Sequence, residues 1–143
     1  MFITDALKEK VNQSLCAIEV RSAWFERLKE TPEWWADTTT CWATERALHV
    51  AIECVVDAAN ALIDALVMRD PGGYLDILRV IAEEQVVSFA WFEAFSGVME
   101  VREQLLRNYV SVSPEVVRDA VVSYAPLLPP FVAAVRDYLG ISG

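Results

Sequence analysis

Apolar residues recur along most of this chain at helical intervals, and no run shows the strict alternation or the β-branched clustering that marks a strand. The pattern predicts an all-α protein of about five helices. Thr4 can cap the first, over about 5–29, whose apolar positions Ala6, Val11, Leu15, Ile18, Ala23 and Phe25 fall near one face. It ends before Pro32, because proline disfavours helix at the residue preceding it. The second should span about 39–68. The sequence R-D-P-G-G-Y at 69–74 then stops it, since Pro71 cannot continue a helix and Gly72 and Gly73 permit a sharp turn. A shorter third helix follows from Tyr74. Ser88 can cap a fourth over about 89–109, and Ser113 with Pro114 at the first helical position opens a fifth. Pro126, Pro129 and Pro130 should break or kink that last helix before it resumes.

The second helix has an unusual pattern. Between Leu48 and Val67 every residue is apolar except His49, Glu53, Asp57, Asn60 and Asp64. Steps of three or four residues place these five on one stripe. A helix that is apolar elsewhere is surrounded by protein, so the stripe faces a wet cleft, a partner's basic groups or plain solvent. The same window is the richest candidate for a membrane span, but its three carboxylates would be costly inside a bilayer. It reads as a buried helix, and no membrane association is expected.

Composition narrows the functions. A chain of 143 residues is the size of one domain, and residues 1–143 are read as one. With 55% hydrophobic residues, much apolar surface must be hidden, and a dimer interface is a natural place for part of it. A net charge of −9 repels a phosphate backbone at long range, which weighs against general nucleic-acid binding while leaving room for a small basic pocket. The start of the chain lacks the basic region and long apolar run of a secretory signal. Cys16, Cys41 and Cys54 form no C-x-x-C pair, which suits reduced thiols, and His49 is the only imidazole, so no zinc site is expected. The expected location is cytoplasmic.

Candidate chemistry lies near the end of the fourth helix, in R-E-Q-L-L-R-N-Y at 102–109. Three segments in order, A-I-E-C-V-V-D-A-A-N-A-L-I-D, R-D-P-G-G-Y-L-D-I-L and this Arg/Tyr-bearing helix end, together resemble the HepT-like branch of the HEPN superfamily over nearly the whole chain. The resemblance implies an up-and-down helical bundle that dimerises. It places in a cleft across the interface two copies of a motif written Arg, any four residues, His, any residue, Tyr. It implies a metal-independent ribonuclease with no cofactor, the toxin of a pair whose antitoxin is a minimal nucleotidyltransferase that adds AMP to the motif tyrosine.

Laid on this chain, the motif arginine is Arg102 and the motif tyrosine, hence the AMP acceptor, is Tyr109. Arg107 stands where the family has histidine, and Glu103 where it usually has asparagine. Arg102, Arg107 and Tyr109 are therefore the candidate catalytic residues, with Arg102, Glu103 and Arg107 facing nucleotide or RNA. A guanidinium stays protonated, so Arg107 can bind phosphate or stabilise developing charge but cannot take the place of an imidazole base. His49, Glu53 and Asp57 are candidates to line the cleft, with the two carboxylates pairing Arg102 and Arg107. Three readings stay open: a ribonuclease toxin with altered chemistry, a weak or inactive relative keeping a nucleotide- or RNA-binding cleft, and a helical protein-interaction module with no nucleic-acid role.

Overall fold

The computed structural model describes residues 3–142. Among them are seven α-helices and no strand: α1 Asp5–Leu28, α2 Thr38–Ala65, α3 Tyr74–Glu83, α4 Phe89–Phe95, α5 Val98–Arg107, α6 Pro114–Tyr124 and α7 Leu128–Leu139. Only Ser96 and Gly97 separate α4 from α5, and only a 3-10 turn, Ala125–Leu127, separates α6 from α7. The helices thus form five segments of an up-and-down bundle, with the fourth segment broken where one continuous helix is expected.

Side-chain caps start the helices. Thr4, Ser88 and Ser113 each accept a hydrogen bond from the amide three residues ahead, satisfying a donor that the first turn leaves free. Asp37 does the same for α2 through the Thr40 amide at 2.9 Å. A 3-10 turn at Trp34–Ala36 leads into it.

Two helix ends depart from the glycine rule. α2 stops at Ala65, three residues short of its expected end, because Val67 turns left-handed at φ 53°. The Met68 amide then bonds back to the Ile63 carbonyl at 3.0 Å. α3 ends the same way at Gln85, φ 62°, with Val86 bonding to Ile81 at 2.9 Å. Only α7 uses glycine for this purpose, Gly140 at φ 69°.

α2 is the central element. Twelve of its residues are buried, among them Leu48, Ile52, Val55, Val56 and Leu62, and α1 lies along it. On α1 the buried face is Leu7, Val11, Leu15, Ile18, Phe25 and Leu28, whereas Ala6 and Ala23, expected inside, are exposed. Trp24 Nε1 ties the two helices by donating to the Thr44 hydroxyl at 3.0 Å. The span Pro114–Leu139 is long and apolar enough to cross a membrane by length and composition. In the fold it is α6, the 3-10 turn and α7, with Val117, Leu128, Phe131 and Val135 in the core.

An aromatic cluster holds α4 against these last helices. Trp91 stacks on Phe95 at 4.7 Å and on Phe131 at 5.2 Å, and Phe95 meets Tyr124 edge-on at 6.0 Å. At the break stands Gly97, where a Cβ would collide with the Tyr124 hydroxyl.

The α2–α3 junction is pinned by charge. Asp76 accepts from Arg69 Nη1 and Nη2 at 2.8 and 2.9 Å, from the Gly72 amide at 2.8 Å and from Arg79 at 3.1 Å. Arg69 Nε also donates to Glu83 at 2.9 Å. The Arg69 hydrogen bonds, then the Gly72 amide, hold the Asp76 carboxyl well below the usual aspartate range. A depressed carboxyl adds stability above the unfolded pKa of about 4 and loses it as the pH falls toward the folded value. Asp76→Asn should therefore lower the urea midpoint between pH 5 and 7, the gap to the parent narrowing as pH drops below about 4. A gap that stayed unchanged as the pH fell from about 7 to well below 4 would refute this assignment.

Candidate functional site

Arg102 stands midway along α5 and points inward, its side chain only 11% exposed. A charge so covered needs partners, and two elements provide them. Nε donates to Glu53 Oε1 on α2 at 2.7 Å, and Nη2 reaches Oε2 at 3.4 Å. Across the guanidinium plane lies Tyr74, the first residue of α3, its ring centre 3.8 Å from the guanidinium carbon. Burial works against the Arg102 charge, but Glu53 and Tyr74 outweigh it and hold its pKa above the ordinary arginine value.

His49 joins the same group. It sits one turn before Glu53 on α2, with Nε2 3.5 Å from Glu53 Oε1, the oxygen that also receives Arg102 Nε. A further turn back is Glu45, whose carboxyl burial pushes up while His49 pulls it down. Side chains from three helices, α2, α3 and α5, thus gather around the Arg102 guanidinium and its carboxylate.

The other candidates lie elsewhere. Arg107 is in the last turn of α5, 76% exposed, and pairs locally with Glu103 at 2.8 Å rather than with α2. Asn108 caps α5, which leaves Tyr109 beyond the helix and 67% exposed. Asp57 forms no ion pair among the described residues. It lines a groove of about 340 Å³ against α1 with Lys10, Gln13, Ser14, Asn60 and Asp64. The polar stripe of α2 is therefore two sites: its first turns serve Arg102, and its later turns line a groove against α1. Among the described residues no three His, Cys, Asp or Glu side chains gather to hold a metal.

With this geometry in place, comparison with known proteins is decisive for the family: a ribonuclease HepT-like family model matches residues 17–135. The chain belongs to the HepT-like family. A relative, the candidate RNase YutE of Bacillus subtilis (strain 168), is 27% identical over 139 residues, 97% of this chain and 92% of the relative. The solved structure of YutE, described there as a cytosolic protein of unknown function, matches with a TM-score of 0.85 over 97% of this chain and 93% of that one. A crystal structure of a toxin–antitoxin with AMP-PNP shares the fold at a TM-score of 0.79 and 12% identity, covering 90% of this chain and 98% of that one.

One member of the Arg102 group escapes sequence reasoning. Tyr74 belongs to the R-D-P-G-G-Y junction, where it reads as the first residue after a turn. Only the three-dimensional fold brings it over Arg102. Its aromatic character at the start of a helix that the apolar pattern leaves half exposed is the sole signal in the sequence.

Proposed function

We propose that this HepT-like chain forms a symmetric dimer whose shared cleft binds RNA or a nucleotide through its phosphates, with cleavage slow or absent because Arg107 occupies the motif's imidazole position. The observation that carries this reading is the pose of Arg102. Its Nε/Nη2 edge is engaged by Glu53 and its face by Tyr74, which also raises the Arg102 pKa. The guanidinium N–H groups that Glu53 does not engage suit two oxygens of one phosphate. A guanidinium held on two sides loses little freedom on binding, so the contact is preorganised.

Other features support the dimer. Leu106, Tyr109 and Val110 are 40%, 67% and 88% exposed around the end of the motif helix, an apolar rim that a second copy would cover. A protein of the same fold was crystallised as a toxin–antitoxin with AMP-PNP, which supports an antitoxin as the partner of this chain too; the resemblance adds that this antitoxin is a minimal nucleotidyltransferase. The net charge of −9 favours a second reading, a protein-interaction module without RNA.

Sedimentation with labelled single-stranded RNA at low salt separates the two. A species of about twice 16.0 kDa that carries RNA is expected. Arg102→Ala should preserve the dimer and weaken RNA binding about tenfold or more, as expected for losing a charge-assisted contact. A monomer, or a dimer that ignores RNA, would support the interaction module.

A further inference from the structure

We infer that His49 supplies the proton-transfer imidazole that position 107 lacks, acting in the Arg102 cleft as general base toward an RNA 2′-hydroxyl. This rests on the cleft binding RNA as proposed above. It adds a residue from a different helix, outside the Arg102–Tyr109 motif.

The first argument is proximity. His49 is the only histidine of the chain, and its Nε2 lies 3.5 Å from the Glu53 oxygen that receives Arg102 Nε at 2.7 Å. Imidazole and guanidinium are therefore separated by a single carboxylate oxygen.

The second argument is charge balance. Glu53 is already neutralised by Arg102 through two hydrogen bonds, so the cluster needs no second cation. An ionised carboxylate only accepts hydrogen bonds, so Nε2, the ring nitrogen facing Glu53, is the one suited to donate, which leaves Nδ1 as the nitrogen that can accept a proton. The charged and titratable groups around the ring are Glu45 and Glu53 from its own helix, Arg102 from α5 and Tyr74 from α3. The third argument is access: the His49 side chain is 22% exposed, neither sealed in the core nor loose in solvent.

The step balances without metal or redox partner. His49 takes the 2′-hydroxyl proton as the 2′-oxygen–phosphorus bond forms. The phosphorus–5′-oxygen bond breaks, and the leaving 5′-oxygen takes a proton from water. The hydroxide so formed neutralises the proton that His49 releases. Products are a 2′,3′-cyclic phosphate and a 5′-hydroxyl, while Arg102 holds the phosphate charge.

The test uses the full chain, a single-stranded RNA oligonucleotide and its all-deoxy counterpart. The parent should cleave RNA slowly to cyclic-phosphate ends and spare the DNA, which has no 2′-hydroxyl. His49→Ala should cleave about 10²-fold more slowly, bind RNA as the parent does, and regain part of its rate on addition of free imidazole. His49→Gln, which keeps an amide donor toward Glu53 but cannot take a proton, should be as slow as His49→Ala; it decides the matter if the alanine variant does not fold. Parent-like cleavage by either folded variant overturns the inference. So does a parent that binds RNA without cleaving it, although the cleft reading then stands. A parent that binds no RNA overturns both.

Discussion

Replacing Arg107 by histidine together with Glu103→Asn should raise RNA cleavage by about 10²-fold, the scale of one general acid or base placed at a reacting centre. Arg107 is 76% exposed and touches Glu103 at 2.8 Å, so the smaller imidazole meets no steric obstacle. Both substitutions are needed. A carboxylate left at position 103 would hold the new imidazole protonated and repel the substrate phosphate. The measurement is initial cleavage rate of a labelled oligonucleotide at pH 7, with RNA affinity followed in parallel. An unchanged rate at unchanged affinity would mean that the end of α5 does not reach the reacting phosphate, and the cleft would then be centred on Arg102 and α2 instead.

Phe95→Ala should destabilise the protein by about 3–5 kcal/mol, typical of truncating a buried phenylalanine. Phe95 is 1% exposed, stacks on Trp91 at 4.7 Å and meets Tyr124 at 6.0 Å. Its removal opens a void where α4, α6 and α7 meet, among aromatic rings too rigid to collapse into it. For a chain of this size the melting temperature should fall by about 10 °C. Thermal unfolding followed by circular dichroism checks this, and a drop smaller than about 3 °C would show that the cluster repacks.

The sequence made helix starts easier to read than helix ends. Thr4, Ser88 and Ser113 are local signals, since a cap needs only a hydroxyl and an amide three residues on, and all three act as caps. The end of α2 has no such mark, because Val67 adopts a left-handed turn normally given to glycine. The break in the fourth helical segment falls at Ser96 and Gly97, a turn-forming pair set inside an otherwise helical pattern, and the close approach of Tyr124 to Gly97 has no mark in the local sequence. The same distinction governs the site. The polar spacing on α2 and the Arg102 motif could be found separately, and the fold joins His49 and Glu53 to Arg102. It does not extend that union to Asp57, because each turn of an α-helix falls short of four residues and the stripe drifts toward α1. Arg107 finds its carboxylate on its own helix, where an exposed i, i+4 pair forms without any tertiary contact.

The contact between Gly97 and Tyr124 makes those two positions a genetic pair. The hydroxyl of Tyr124 occupies the space that any side chain at 97 would begin to fill. Each position therefore sets what the other tolerates: alanine at 97 is harmful beside tyrosine and milder beside phenylalanine, which lacks the obstructing oxygen. Effects of the two substitutions cannot simply add. Among relatives of this chain, drift at either site would be felt first at the other, and their joint history would trace the bend that aims α5 at the cleft.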